Sequence, residues 1–225
     1  MIDADPSPQR RAPQQGRSKA SLERMLSAAE AVMAERGNDD FTLSDVAKRG
    51  KVSIGSIYCR FESKDDLIHA VQQRVLDQVD EQLLAAVSQA RQSADGLRAL
   101  IRALVESVSE ALRRYADAMR PFMLRANSDP VVASVGKRSY ASASAAVQAA
   151  LLEYRFEIRH QDQAHAADAV FRIFYASLAR YLGFGSSAEA AGEGNWTALK
   201  RDLTHMLTTF LTSDPEDTVP GNPGK

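Results

Sequence analysis

The sequence contains few of the residues on which disulfides, metal sites and membrane spans depend. One cysteine, Cys59, and four histidines occur in 225 residues, which excludes an internal disulfide and a cysteine-cluster metal site. No apolar run approaches the roughly 18 residues of a membrane span, and the N-terminal residues lack the apolar core of a signal peptide. We therefore predict a cytoplasmic protein without a metal or another cofactor.

Residue patterns that signal catalysis are equally scarce. His160 and His165 are five residues apart, whereas metal ligands on one helical face are expected three or four residues apart. The chain has no glycine-rich phosphate loop, and no nucleophile has a partner at a diagnostic spacing. The sequence therefore argues against an enzyme.

Charge is nearly balanced over the chain but is concentrated in one place. The formal net charge is −1 at pH 7, yet five basic residues and a single acidic residue, Glu62, occur from position 48 to position 64. A short basic patch in an otherwise neutral protein is compatible with local contacts to phosphate. The basic residues are Lys48, Arg49, Lys51, Arg60 and Lys64.

Apolar residues recur at spacings of three and four along most of the chain, and a strand pattern is almost absent. This indicates an all-α protein with three short N-terminal helices followed by a larger helical body. Both ends are rich in turn-forming residues, and we predict that residues 1–16 and 213–225 are disordered. The predicted helices span about 18–36, 43–49, 53–61, 63–89, 95–116, 118–124, 130–152, 163–182 and 195–211.

The strongest pattern lies in residues 42–67, which predict two short helices separated by about three residues. Thr42 with Asp45, and Ser63 with Asp66, have the spacing of capping boxes and mark two helix starts. Two short helices at this separation, braced by the helix before them, are typical of a helix-turn-helix. Lys64 would place a cation in the first turn of a helix, which is favourable when an anion such as a DNA phosphate binds there.

The second helix of this motif is predicted to have two unlike faces. Gly55, Ser56 and Cys59 form a short, nearly uncharged surface that suits base edges in a major groove. Glycine at position 55 also allows close approach of the backbone. The opposite face is apolar and is predicted to pack against the first helix through Val46, Val52, Ile57 and Phe61.

This ordered set of residues resembles the signature of the TetR family of transcriptional regulators over about residues 20–70. One departure stands out: where the family usually has Ala-Gly before Val-Ser, this chain has Gly50 and Lys51, which predicts a left-handed backbone at Lys51. The matching residues are Ala28-Ala29, Met33, Glu35-Arg36-Gly37, Thr42, Val52-Ser53, Tyr58, Phe61 and Ser63-Lys64-Asp65-Asp66-Leu67.

The resemblance implies a helix-turn-helix DNA-binding domain over residues 17–62 and an effector-binding and dimerisation domain over residues 63–212. It places Ile54, Gly55, Ser56 and Tyr58 nearest the bases, with Lys51 as an added phosphate contact and Cys59 on the same face. A basic arm would carry Arg10, Arg11, Arg17 and Lys19. The residues implied to hold the DNA backbone are Thr42, Ser44, Ser53, Tyr58, Arg60 and Lys64.

The resemblance also implies a homodimer in which the last two helices pair across a two-fold axis, and a small-molecule effector bound in the body. The candidate interface consists of two apolar stripes: Phe171, Phe174, Leu178 and Leu182, and Trp196, Leu199, Leu203, Met206 and Phe210. The alternative is that these stripes only face their own core. The candidate effector pocket comprises Tyr115, Met119, Phe122, Met123, Tyr140 and Tyr175.

The implied activity is that of a repressor that binds a palindromic operator and is released by an unidentified small molecule. Three alternatives stay open at this stage: an activator, a regulator that needs its ligand as corepressor, and an architectural DNA-binding protein without operator choice. Cys59 adds a minor possibility of redox control. Double-stranded DNA, a second copy of the chain and the effector are thus the expected partners, and a membrane is not.

Overall fold

Residues 12–185 and 191–214 are described by the computed structural model, and this part of the chain folds into helices without a strand. None of these helices is long and apolar enough to cross a membrane. A short 3₁₀ turn, Arg155–Glu157, follows the seventh helix. The helices are α1 (Ala12–Arg36), α2 (Leu43–Gly50), α3 (Ile54–Tyr58), α4 (Lys64–Ser93), α5 (Leu97–Arg114), α6 (Ala116–Arg125), α7 (Pro130–Leu152), α8 (Gln163–Leu182) and α9 (Trp196–Thr212).

Helix α1 begins at Ala12, six residues before the predicted start. Pro13 falls in its first turn, where proline is tolerated because the N–H groups there have no helical partner. The predicted disordered arm, residues 1–16, therefore overlaps α1 over residues 12–16, and the rest of it, with Arg10 and Arg11, lies outside the described residues. Most of the predicted C-terminal tail, residues 215–225, lies outside them as well.

Local capping determines where the short helices begin. The Thr42 hydroxyl accepts from the Asp45 amide, and the Asp45 carboxylate accepts from the Thr42 amide. Ser63 and Asp66 form the same reciprocal pair at the start of α4. Both predicted capping boxes are confirmed, which explains why these two helix starts were found within a residue.

The body is built around α4, which packs against α5 and α7, while α7 carries α8 and α5 carries α9. Helix α5 follows Gly96 without a side-chain cap of its own, and the Glu157 carboxylate from the 3₁₀ turn accepts from the Leu97 amide instead. The break between α5 and α6 falls at Tyr115, and Pro121 lies inside α6. The predicted break between the helices of residues 95–116 and 118–124 is therefore displaced by two residues.

The two apolar stripes proposed for the dimer interface mostly form the core of the single chain. Six of these nine side chains are 9% exposed or less, because the stripes of α8 and α9 face α7 and α5. Only Met206 and Phe210 are exposed, at 58% and 37%, and Leu199 is partly buried. The prediction is corrected for the six buried residues, Phe171, Phe174, Leu178, Leu182, Trp196 and Leu203.

Candidate nucleic-acid interface and effector cavity

A small apolar core holds α3 against α1 and α2. Val46 and Ile57 are fully buried and Phe61 is 8% exposed. Val52, on the turn between α2 and α3, packs against the same core. Because α3 has only five residues, it depends on this packing for its position, since isolated helices of that length are unstable in water.

The turn between α2 and α3 explains the order Gly50-Lys51. A Cβ at Gly50 would lie 3.1 Å from the Arg24 carbonyl oxygen and 3.2 Å from Ala28 Cβ, so glycine allows the close approach where α2 crosses α1. The left-handed residue that ends α2 is then Lys51, with φ 49° and ψ 46°. The predicted left-handed conformation is confirmed, and the packing role of Gly50 was not among the predictions.

The outer face of α3 leaves apolar and aromatic groups in solvent. Ile54 is 39% exposed and Tyr58 is 60% exposed, while Gly55 and Cys59 are also exposed. The Ser56 hydroxyl is 2.7 Å from the hydroxyl of Ser53, which caps α3 by accepting from the Ser56 amide. A face that exposes both apolar groups and hydroxyls fits a surface that offers both methyl groups and polar edges, as a major groove does.

The basic side chains around α3 differ in whether they have a hydrogen-bond or ion-pair partner among the described residues. The Lys48 and Lys51 side chains are exposed and have no ion pair or hydrogen bond with any described residue. Arg49 forms a two-bond ion pair with Glu35 at 2.6 Å, and the Arg60 guanidinium donates to the carbonyl and hydroxyl oxygens of Ser18.

Lys64 is also engaged within the chain. Its ammonium donates to the Asp39 carbonyl oxygen and lies 4.6 Å from the centre of the Phe41 ring. The side chain is therefore partly buried between α4 and the turn before α2, and its ammonium has partners within the chain, unlike the exposed ammonium groups of Lys48 and Lys51.

The body contains a cavity of about 270 Å³ beside the helices that follow the DNA-binding domain. Five of the six predicted pocket residues line it, and Tyr115 does not. The lining residues that were not predicted lie on α4 and α7 and at the end of α6. Gln72, a polar residue at a core position of α4, was the sequence feature that could have indicated this part of the cavity. The lining comprises Gln72, Leu76, Met119, Phe122, Met123, Ala126, Val132, Ala133, Gly136, Lys137, Tyr140 and Tyr175.

Three polar side chains of this cavity each have a polar atom without a hydrogen-bond partner among the described residues. Gln72 is 2% exposed, and although its Nε2 donates to the Val132 carbonyl, its Oε1 accepts no hydrogen bond. Leaving such an atom unpaired costs about 1–3 kcal/mol. The Tyr140 and Tyr175 rings contact each other edge to face at 5.0 Å, and neither hydroxyl has a hydrogen-bond partner. Burial raises the pKa of Tyr175 to about 12, so its hydroxyl keeps its proton.

An ion-pair cluster joins the end of α6 and the start of α7 to the turn before α2 and to the start of α4. Arg125, at the end of α6, pairs with Asp39 before α2, with Asp65 at 2.8 Å in the first turn of α4, and with Asp129 at 2.9 Å at the start of α7. His69 Nε2 lies 2.9 Å from the Asp129 carboxylate. Burial acts to raise the pKa of Asp129, but the hydrogen bonds from His69, the Val132 amide and Arg125 outweigh it and lower that pKa. We call Arg125, Asp39, Asp65, Asp129 and His69 the junction cluster.

A second ion-pair cluster fixes α9 to α5. Lys200 is 9% exposed, and its ammonium lies 2.7 Å from carboxylates of both Glu106 and Glu110. The Trp196 indole donates to Glu110 at 2.7 Å. Burial acts to raise the pKa of Glu110, but the hydrogen bonds from Lys200 and Trp196 lower it to about 2.

Comparison with known proteins agrees with this geometry. Residues 25–71 match the family model for bacterial regulatory proteins of the tetR family, which covers α3 with its bracing helices and the start of α4. A search of curated proteins returns no match.

Solved structures with the same fold extend the similarity to the body. A transcriptional regulator of a Rhodococcus species, strain RHA1, is 26% identical, with 89% of this chain and all of that chain covered and a TM-score of 0.63. A protein of Mesorhizobium loti assigned to the TetR-family regulators is 18% identical over 87% of this chain and 96% of its own, with a TM-score of 0.70. A TetR-family regulator of Marinobacter aquaeolei is also 18% identical, over 88% and 99%, with a TM-score of 0.59. Residues 25–71 thus match the TetR family of bacterial regulatory proteins, and the described fold is that of solved TetR-family regulators, which supports a DNA-binding transcriptional regulator.

Proposed function

We propose that the chain is a repressor that binds a palindromic operator as a homodimer and leaves it when a small molecule occupies the cavity. The observation that carries this proposal is the junction cluster. Arg125 links two of the helices that line the cavity, α6 and α7, to the turn before α2 and to the start of α4. A ligand that moves α6 or α7 therefore acts on the element that holds α3 in place.

DNA recognition is assigned to the exposed face of α3. Ile54, Gly55, Ser56 and Tyr58 lie on or beside this face and would contact base edges, while Lys48 and Lys51 would contact phosphates because their ammonium groups are free for an outside partner. Ser44 is exposed and suits a backbone contact as well. The remaining predicted contact residues have partners within the chain. Thr42 and Ser53 cap helices, and Arg60 and Lys64 donate to Ser18 and to the Asp39 carbonyl.

A dimer is proposed because one α3 of five residues reads too few base pairs for useful specificity. The outer surfaces of the last two helices expose Ile173 at 46%, Met206 at 58% and Phe210 at 37%. Pairing of α8 and α9 with those of a second copy would cover these side chains. A two-fold dimer reads half-sites about one helical turn apart, roughly 34–36 Å.

The proposal is tested by comparing binding to the DNA upstream of the chain's own gene with binding to random DNA, both at physiological salt. We expect specific binding at least about a thousandfold tighter than non-specific binding. Tyr58→Ala should weaken specific binding about tenfold or more, whereas Phe156→Ala, which removes an aromatic side chain that is 87% exposed outside the domain, should not. Equal binding to both DNAs would support an architectural protein instead.

The salt dependence of DNA binding distinguishes Lys48 and Lys51, whose ammonium groups have no partner among the described residues, from Lys64, whose ammonium has partners. Lys48→Gln and Lys51→Gln should each reduce the slope of log K against log salt concentration by about one, the value for one lost phosphate contact. Lys64→Gln should change the slope less, because that ammonium already has partners. A full unit lost with Lys64→Gln alone would reverse this assignment.

Sedimentation of two variants tests the proposed dimer surface. Met206→Glu should shift the chain toward monomer because it places a charge in the covered apolar surface. Arg201→Glu, on another face of the same helix and with a side chain 76% exposed, is the matched control and should stay dimeric.

A further inference from the structure

The cavity has only one ionisable side chain that is charged at neutral pH. Lys137 lies at its edge, exposed and without an ion pair or hydrogen bond among the described residues. None of the twelve lining residues is acidic. A cationic ligand would meet Lys137 and find no carboxylate in the lining to compensate it, whereas an anionic group would gain a charge-assisted hydrogen bond.

The other end of the cavity requires a hydrogen-bond donor. Gln72 Oε1 is buried and accepts nothing, and its amide is held by the Val132 carbonyl. Because Gln72 lines the cavity, a ligand hydroxyl or N–H at this end would satisfy its unpaired oxygen. The lining between the two ends is apolar apart from the two tyrosine hydroxyls.

The two polar ends are separated by a fixed length of α7. The Gln72 amide is beside Val132, and Lys137 follows five residues later on the same helix, which is about 7.5 Å along the axis at 1.5 Å per residue. A cavity of about 270 Å³ is at the lower end of the range for ligand pockets, so it takes one ring with a short side chain.

We infer that the effector is a small, mostly apolar acid that carries a hydroxyl or N–H group at the end opposite its carboxylate. The carboxylate would pair with Lys137, the donor would bind Gln72 Oε1, and the ring would lie against Tyr140, Tyr175 and the aliphatic side chains. This inference rests on the proposed function, because it names the ligand of the cavity through which release is proposed.

Calorimetric titration of the full chain with three matched probes tests the inference. The probes are 3-(4-hydroxyphenyl)propanoate, 3-phenylpropanoate, which lacks the hydroxyl, and tyramine, which replaces the acid by an amine. We expect affinity to fall in that order. Tyramine binding as tightly as the hydroxylated acid, or no measurable binding of any probe at millimolar concentration, would overturn the inference.

Four variants locate the contacts. Lys137→Met should weaken both acids about tenfold, while Arg138→Met, which removes a cation one residue away that does not line the cavity, should not. Gln72→Leu should abolish the advantage of the hydroxylated acid and keep the affinity for 3-phenylpropanoate, which shows that the variant is folded. Gly136→Leu should block all binding, because a Cβ there meets no atom within 4 Å and the side chain has the cavity to fill. Equal losses in Lys137→Met and Arg138→Met would contradict the assignment of the acid.

Release of operator DNA by the same probes separates this inference from the proposed function. If the hydroxylated acid binds as expected but leaves DNA binding unchanged, release by a cavity ligand fails and the ligand chemistry stands. If tyramine releases DNA and Gly136→Leu prevents it, the proposed release stands and the acidic ligand is wrong.

Discussion

The DNA-binding domain and the helical body differ in how far along the chain their side-chain hydrogen bonds reach, with Arg60 to Ser18, 42 residues apart, as a long example in the domain. In the domain, the hydrogen bonds that define the helix starts join residues three apart, as in Thr42 with Asp45 and Ser53 with Ser56. In the body, Lys200 reaches carboxylates 94 and 90 residues away, and Gln72 reaches a carbonyl 60 residues away.

This difference has a consequence for conformational change. A cap forms whenever its own helix forms, so it stabilises α2 or α3 without reporting on the rest of the chain. A contact between distant helices exists only while those helices are docked, so it responds to anything that shifts them. The junction cluster is of the second kind and touches Asp39 before α2, so it is, beside the packing of α1 on α4 and α6, one of the contacts through which we propose that the body influences α3.

Among the substitutions that test this comparison, Arg125→Ala is expected to lower the free energy of unfolding the most. Arg125 is 14% exposed and serves three carboxylates, and breaking a partly buried cluster by removing one partner costs about 3 kcal/mol. Urea unfolding of this variant and of Arg138→Ala gives the measurement. The control, whose guanidinium contacts only the Ser134 hydroxyl, should stay within about 0.5 kcal/mol of wild type. Similar losses in the two would mean that the cluster does not hold the domains together.

Lys200→Met should cost somewhat less, about 2 kcal/mol at neutral pH, because Glu106 and Glu110 keep part of their hydration. The pH dependence is the sharper test. With its pKa lowered from 4.5 to about 2, Glu110 contributes stability that is complete above pH 4.5 and is lost as the pH falls toward 2. The free energy of unfolding of wild type should therefore decline over this window more steeply than that of Lys200→Met. Parallel declines would remove Glu110 as the cause.

Gly136→Ala should stabilise the body by about 1 kcal/mol. Glycine inside a helix is that much less favourable than alanine, and the added Cβ meets no atom within 4 Å. Thermal unfolding without ligand gives the measurement. Gly50→Ala is the contrasting control in the domain, and it should destabilise because its Cβ would crowd Arg24 and Ala28. A stabilised Gly50→Ala would show that the close approach of α2 to α1 is not needed.

Lys51→Gly is expected to have the smallest effect on stability, a gain of about 0.5 kcal/mol. Relief of a left-handed non-glycine residue contributes roughly 1–2 kcal/mol, and the greater freedom of glycine in the unfolded chain offsets most of it. The same variant should lose one unit of salt slope in DNA binding. Higher stability together with weaker DNA binding would show that lysine is present here for DNA, and a loss of stability would refute the strain argument.

The sequence supported accurate predictions wherever a feature depends on neighbouring residues. Capping at Thr42 and Ser63, the left-handed Lys51, and the bounds of α7 and α8 all follow from residues within a few positions of one another. Five of the six predicted pocket residues line the cavity, because they form an aromatic and methionine cluster on nearby helices. The errors occurred where distance in space decides: the buried stripes of α8 and α9, the engagement of Lys64 by Asp39, and the packing role of Gly50.

The sequence by itself thus determined an all-α chain with a helix-turn-helix whose second helix presents Gly55 and Cys59 outward, because caps and apolar spacing act over a few residues. Only the tertiary structure decided which of those apolar side chains face a neighbouring helix and which cations have partners already. The physical reason is that burial and ion pairing, unlike capping, depend on which helices meet. Gln72 and Lys137, 65 positions apart, become two ends of one cavity only after α4 and α7 have packed.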